Sequence, residues 1–194
     1  EGRDRYALCG MELRSPAPFT MQGFIDFNSE YCTVLQEWGL YVGNLNPVAR
    51  TNVAPFYDPP AEPVLHAFSY IIPNEQIDRP TLIVAGAGEL LEGTLVEKGI
   101  IRSGDTSPES MREKATYVMQ VMEERLLGLG GHWGLVNAID VYTIYPLEGI
   151  LEEILLDPMG PARRHGIHWY YTRPPIIDID FEMALHGVVS ERIL

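Results

Sequence analysis

Cysteine is scarce, with only Cys9 and Cys32 in 194 residues. Two thiols without CxxC or Cys/His spacing exclude a disulfide framework and a cysteine-built zinc site, and both are expected to be reduced. Basic residues are also few. Fourteen Lys and Arg stand against 27 Asp and Glu, and the resulting net charge of −13 repels phosphate backbones and anionic lipid. Nucleic acid and membrane surfaces are therefore not expected as partners. No apolar run approaches the roughly eighteen residues of a membrane span, and EGRDRYAL has neither the basic nor the apolar region of a signal peptide. Cytoplasmic location is the default expectation.

What remains is an ordinary globular composition, 46% hydrophobic and 21% charged, long enough for one domain with a substantial extension. The clearest element is a helix in DTSPESMREKATYVMQVMEERLLGLGG. Ser107 caps it with Pro108 at the first helical position, or Thr106 forms a capping box with Glu109. Apolar residues recur at Met111, Ala115, Val118, Met119, Met122 and Leu126 before Gly128, Gly130 and Gly131 end it. Strands are predicted at HAFSYII (66–72), TLIVAGAG (81–88) and LVNAIDVYTIY (135–145), and LEGILEEILLDP (147–158) returns to helical spacing. In the first sixty residues, YALCGMEL and FTMQGFIDF read as strands and EYCTVLQEWGLYV as a short helix or strand. A proline-rich connection follows. The economical solution is α+β, a mixed sheet with two helices packed on one face. Residues 1–60 then form an N-terminal extension, a degenerate half-unit or an interface segment, and 61–194 the main domain.

Two strands near the end carry the chemistry-bearing residues. In IIDIDFEMALHG (176–187), strand period sends Ile177, Ile179, Phe181, Met183 and Leu185 to one face. Asp178, Asp180, Glu182, Ala184 and His186 go to the other. In GPARRHGIHWYY (160–171), Arg163 and His165 share one face, while Arg164 and His168 share the opposite one. An i, i+3 histidine pair on a strand cannot chelate one ion, so no metal is predicted. AGAGEL lacks the spacing of a dinucleotide-binding turn, so no nucleotide cofactor is predicted either.

From His66 onward the pattern resembles the reactive intermediate/imine deaminase family, also called YjgF-like or Rid. The landmarks are AFSY (67–70), LIVAGAG (82–88), the helix ending in GG, DVYTIY (140–145), PAR (161–163) and the acidic closing strand. The resemblance covers about two thirds of the chain. It implies a chorismate-mutase-like homotrimer, or a multiple of three, with ligand sites between subunits and hydrolysis of imines or enamines to carbonyl compounds and ammonia. The long N-terminal segment and extra cations look more like the branch that deaminates 2-aminomuconate and its chloro-substituted relatives. Phe68 stands where the family has a tyrosine, and Ala85 where it has a serine.

The resemblance makes Arg163 the anchor of a substrate carboxylate, a role suited to a guanidinium fork. A dicarboxylate needs a second cation, for which Arg164, Arg173 and His165 are candidates, and Phe68 falls in the substrate-binding segment. Proton transfer falls to Asp180 or Glu182, depending on a register shift of two residues, with His186 on the same face as a secondary acid–base candidate. The bland reading pairs the acids with Arg163, Arg164 or Arg192. The alternative function is a non-catalytic trimer that binds a metabolite through the same arginine.

Overall fold

The computed structural model describes residues 4–91 and 93–190; Arg192 lies outside them. Strand β1 (Leu8–Arg14) leads into α1 (Met21–Glu37), and β2 (Ala49–Pro55) returns parallel to β1. Strand β3 (Val64–Tyr70) pairs antiparallel with β1. Then come β4 (Leu82–Gly88), α2 (Pro108–Gly128), β5 (Ala138–Tyr142), β6 (His168–Tyr170), the short β7 (Thr172–Arg173) and β8 (Glu182–Gly187). The architecture is α+β, but the strands divide into two four-stranded mixed sheets, ordered β3-β1-β2-β7 and β4-β8-β5-β6. The reason for two sheets is that the first sixty residues supply two strands and a crossover helix, enough to seed a sheet of their own. A boundary at residue 60 falls between β2 and β3, within one sheet. Among the described residues no helix is long and apolar enough to cross a membrane.

Phe19–Phe27 reads as a strand from its composition, yet Thr20 caps α1 by accepting from the Gly23 amide at 3.0 Å. Phe24, Ile25, Tyr31 and Leu35 then recur at helical spacing and pack against apolar residues of β1 and the neighbouring loops. Helix α2 forms where its caps place it. Ser107 accepts from the Ser110 amide at 3.3 Å, and the buried stripe from Met111 to Leu126 packs on Val84, Ile139, Met183 and Leu185. The helix expected over 147–158 shrinks to a π-helical segment, Leu151–Leu156, closed by Pro158.

The two closing strands are shorter than period-2 alternation predicts. Gly160–His165 forms a 3-10 turn, with Pro161 at its start and Gly160 and Gly166 at φ of 51° and 73°. Arg163, Arg164 and His165 therefore sit on a turn, not on alternate faces of a strand. Residues 176–181 form a loop in which Asp178 adopts φ 70°. Glu89 fixes the end of that loop, accepting from the amides of Asp180 at 2.5 Å and Phe181 at 3.0 Å. Alternation holds from Glu182 on: Met183 and Leu185 face α2, while Glu182, Ala184 and His186 occupy the opposite face.

Glu89 belongs to a buried ionic cluster. The Lys114 Nζ lies 3.6 Å from Glu89 and 2.5 Å from Asp180, with the lysine and Glu89 fully enclosed. Removing one partner of a buried ion pair strands the others in low dielectric. Lys114→Met is expected to lower unfolding stability by about 3–5 kcal/mol, read as a drop in urea midpoint at unchanged m-value.

Candidate functional site

The apolar contacts between the sheets are small: Val53 of β2 packs on Tyr142 and Ala184, with β2 lying against β4. Around them the space is polar. Glu12 and Arg14 on β1, Thr51 on β2, Asp140 on β5, and Glu182 and His186 on β8 face it, while Arg50, next to Thr51, alternates to the α1 side of β2. A narrow crevice between the sheets, with a volume of about 10 Å³ that suits a single water, is lined by Glu12, Thr51, Ser69, Ala85 and His186, among others.

Glu182 sits at an irregularity. The register of β4 against β8 shifts between Val84 and Ala87, and Arg125 of α2 donates to the carbonyls of Ala85 and Gly86 at 3.2 and 3.1 Å. Gly86 has no Cβ, and the Glu182 carboxyl occupies that space: a Cβ there would overlap Oε1 and crowd Thr51. Gly86→Ala is thus expected to push the carboxyl aside, destabilising by about 1–3 kcal/mol and cutting turnover at least tenfold. Urea unfolding and steady-state kinetics on one preparation check both.

Burial governs the charge on Glu182. The residue is 4% exposed, and enclosure pushes its carboxyl up to about 8, against the opposing pull of Arg50 and with the Glu89 charge adding to the rise. Glu89 is itself raised to about 7 by burial, opposed by the backbone amides it accepts from and by Lys114. At neutral pH Glu182 is mostly protonated, a carboxylic acid ready to donate.

Arg50 supplies the positive charge. Its guanidinium lies over the rings of Tyr31, Phe24 and Phe27 at 4.9, 5.5 and 6.0 Å. Among the described residues it forms no ion pair with a carboxylate. Burial lowers its pKa from the ordinary arginine value. A guanidinium held by aromatic rings, not by a carboxylate, keeps its fork for an incoming anion.

A second group lies along the same face. Glu12, Asp140 and His186 bring their side-chain ligand atoms within 4.8 Å of one another. Arg14 holds Glu12 at 3.3 Å and lies over the rings of Tyr142 and Tyr170, while His168 Nδ1 meets Asp140 Oδ1 at 3.0 Å.

Residues 1–192 match the family described as 2-aminomuconate deaminase CnbZ. The chain belongs to that family. It is similar to the 2-amino-5-chloromuconate deaminase of Comamonas testosteroni, being 43% identical over 201 aligned positions that take in 100% of this chain and 77% of the relative. No solved structure matches it. The CnbZ match begins at residue 1, so the segment that supplies Glu12, Arg14 and Arg50 is part of the family pattern.

Of the residues singled out from sequence in this CnbZ-family chain, Glu182 and His186 share the face of β8 turned to the first sheet, at opposite ends of that strand. Asp180 lies off the strand and is held by Lys114. Arg163 is 61% exposed and paired with Asp157 at 3.3 Å. It borders an open groove with Arg112, Glu148, Glu152, Glu153 and Asp157, four acids to two cations, the wrong balance for a dicarboxylate. Arg164 and His165 are exposed on the same turn. Arg173 is exposed on β7, its guanidinium 4.8 Å from the Phe56 ring, and Phe68 is exposed on β3 beside Tyr70. Within one chain none of these joins Glu182.

Sequence reading missed Arg50, Glu12, Arg14 and Asp140. A signal existed for two of them. VARTNVA between Pro47 and Pro55 has strand alternation that the prolines obscured, and Asp140 is a lone acid between Ile139 and Val141. The pairing of Glu12 with Asp140 arises only from sheet packing.

Proposed function

We propose that this protein hydrolytically deaminates a small enamine dicarboxylate of the 2-aminomuconate type, a step in aromatic-compound breakdown. The observation that carries this is the buried, protonated Glu182 over Gly86, whose charge the Arg50 guanidinium favours, in a chain of the CnbZ family. Arg50 holds one carboxylate, and its aromatic neighbours suit a flat conjugated chain. Glu182 protonates the enamine carbon, giving an iminium. The resulting carboxylate takes a proton from the attacking water, and carbinolamine forms. Glu182 then delivers that proton to the nitrogen and recovers one from the hydroxyl as ammonia leaves, ending protonated as it began. The balance is enamine plus water to 2-oxo acid plus ammonia, and the protein supplies orientation and proton transfer.

The finer fold proposed is chorismate-mutase-like, in a cytoplasmic homotrimer. The exposed apolar residues of β3 and its exit, Leu65, Phe68, Ile71 and Ile72, support self-association. Sedimentation at the trimer mass is expected, and a monomer at micromolar concentration contradicts the assembly. For the activity, freshly generated 2-aminomuconate is incubated with the protein and ammonia is measured. Stoichiometric release is expected. Protection against thermal unfolding without ammonia would instead mark a binding protein.

A further inference from the structure

We infer that Glu12, Asp140 and His186 form a binding site for one divalent transition-metal ion, opening on the inter-sheet crevice. Three strands of the two sheets converge to make it: β1 supplies Glu12, β5 supplies Asp140 and β8 supplies His186. Their ligand atoms lie within 4.8 Å of one another, yet no two of the three side chains hydrogen-bond each other. That spacing leaves room for an ion with bonds of about 2.0–2.2 Å.

The histidine makes this more than an acidic cluster. His186 is 9% exposed, its imidazole has no hydrogen-bond partner among the described residues, and it lines the crevice with Glu12. Its ring faces two carboxylates and bonds neither, and it borders the crevice, so a ring nitrogen is open to a ligand. The carboxylates are oriented from behind, as metal ligands are. Arg14 occupies Glu12 Oε2 and leaves Oε1. His168 holds Asp140 Oδ1, and the Tyr142 hydroxyl lies 3.4 Å from Oδ2. One nitrogen and two carboxylates suit Zn²⁺, or Mn²⁺ and Fe²⁺ in the same class. Three protein ligands leave a coordination position toward the crevice for water or a ligand oxygen. The histidine pair weighed from sequence, His165 and His168, is not this set. The inference stands apart from the deaminase reading, because it concerns binding alone.

The test uses the full chain stripped with a chelator and titrated calorimetrically with Zn²⁺, then with Co²⁺ to read visible d–d bands. One ion per chain is expected, with Kd raised at least 100-fold by His186→Ala and by the near-isosteric Glu12→Gln, both checked for fold by circular dichroism. Glu182→Gln is expected to bind the ion as wild type does. Absence of stoichiometric binding, or unchanged affinity in both ligand variants, overturns the site. Ammonia release measured separately on the same stripped protein keeps failure of the metal site distinct from failure of the deaminase.

Discussion

Glu182→Gln is expected to abolish deamination while making the protein harder to unfold above neutral pH. Loss of general acid–base catalysis costs about 10²–10⁴ in rate, and glutamine keeps the shape that fits over Gly86. The stability gain follows from linkage. The Glu182 carboxyl titrates at about 8 in the fold against an ordinary 4.5. Between those values the folded chain holds a proton that the unfolded chain has released, so its contribution is fully present below pH 4.5 and is lost as pH rises through about 8. Glutamine removes that loss. The melting temperatures of variant and wild type should coincide near pH 4.5 and diverge upward to pH 8, a difference of roughly a few kcal/mol. Wild-type turnover should fall above pH 8 as the acid is lost. A variant equally inactive but less stable at every pH would show a packing role instead.

Arg50→Met is the second large effect. Methionine keeps contact with Phe24, Phe27 and Tyr31 but removes the carboxylate fork. A charge-assisted hydrogen bond contributes about 1.5–3 kcal/mol, so kcat/KM is expected to fall about 10²-fold, mostly through KM, with little change in melting temperature. Arg50→Lys should recover part of the charge and little of the geometry. Arg163→Ala, with its partner Asp157 on an exposed turn, should stay within about twofold of wild type, as surface ion pairs do. Near-normal kinetics for Arg50→Met beside a collapse for Arg163→Ala would move the anchor to the open groove.

The elements legible in the sequence were those whose local signals agree with their packing. Helix α2 carries cap, proline, apolar stripe and glycine stop in one segment, and Glu182 with His186 followed from strand period in β8. The misread segments are those where distant contacts decide. Residues 176–181 have perfect alternation, but Glu89 captures two backbone amides and ends the strand pairing there. Residues 160–165 lead into a β-rich run, yet Gly160 at φ 51° and Pro161 start a 3-10 turn there. Half of the candidate site was invisible for a different reason. Glu12 acquires chemical meaning only when the first sheet lies against the second, and Arg50 only when α1 folds over β2; a segment read as an extension gives no hint of either. Lys114, hidden in the middle of an amphipathic helix, holds Asp180 in an ion pair, a contact that no local signal in 176–187 announces.

The substrate is proposed to bind beside Glu182 and Arg50, not in the groove at Arg163. A crystal structure with bound muconate, the dicarboxylate without its amino group, tests this most directly. A carboxylate within hydrogen-bonding distance of the Arg50 guanidinium and the conjugated chain beside Glu182 are expected; muconate held by Arg163 with Arg50 and Glu182 untouched would contradict this.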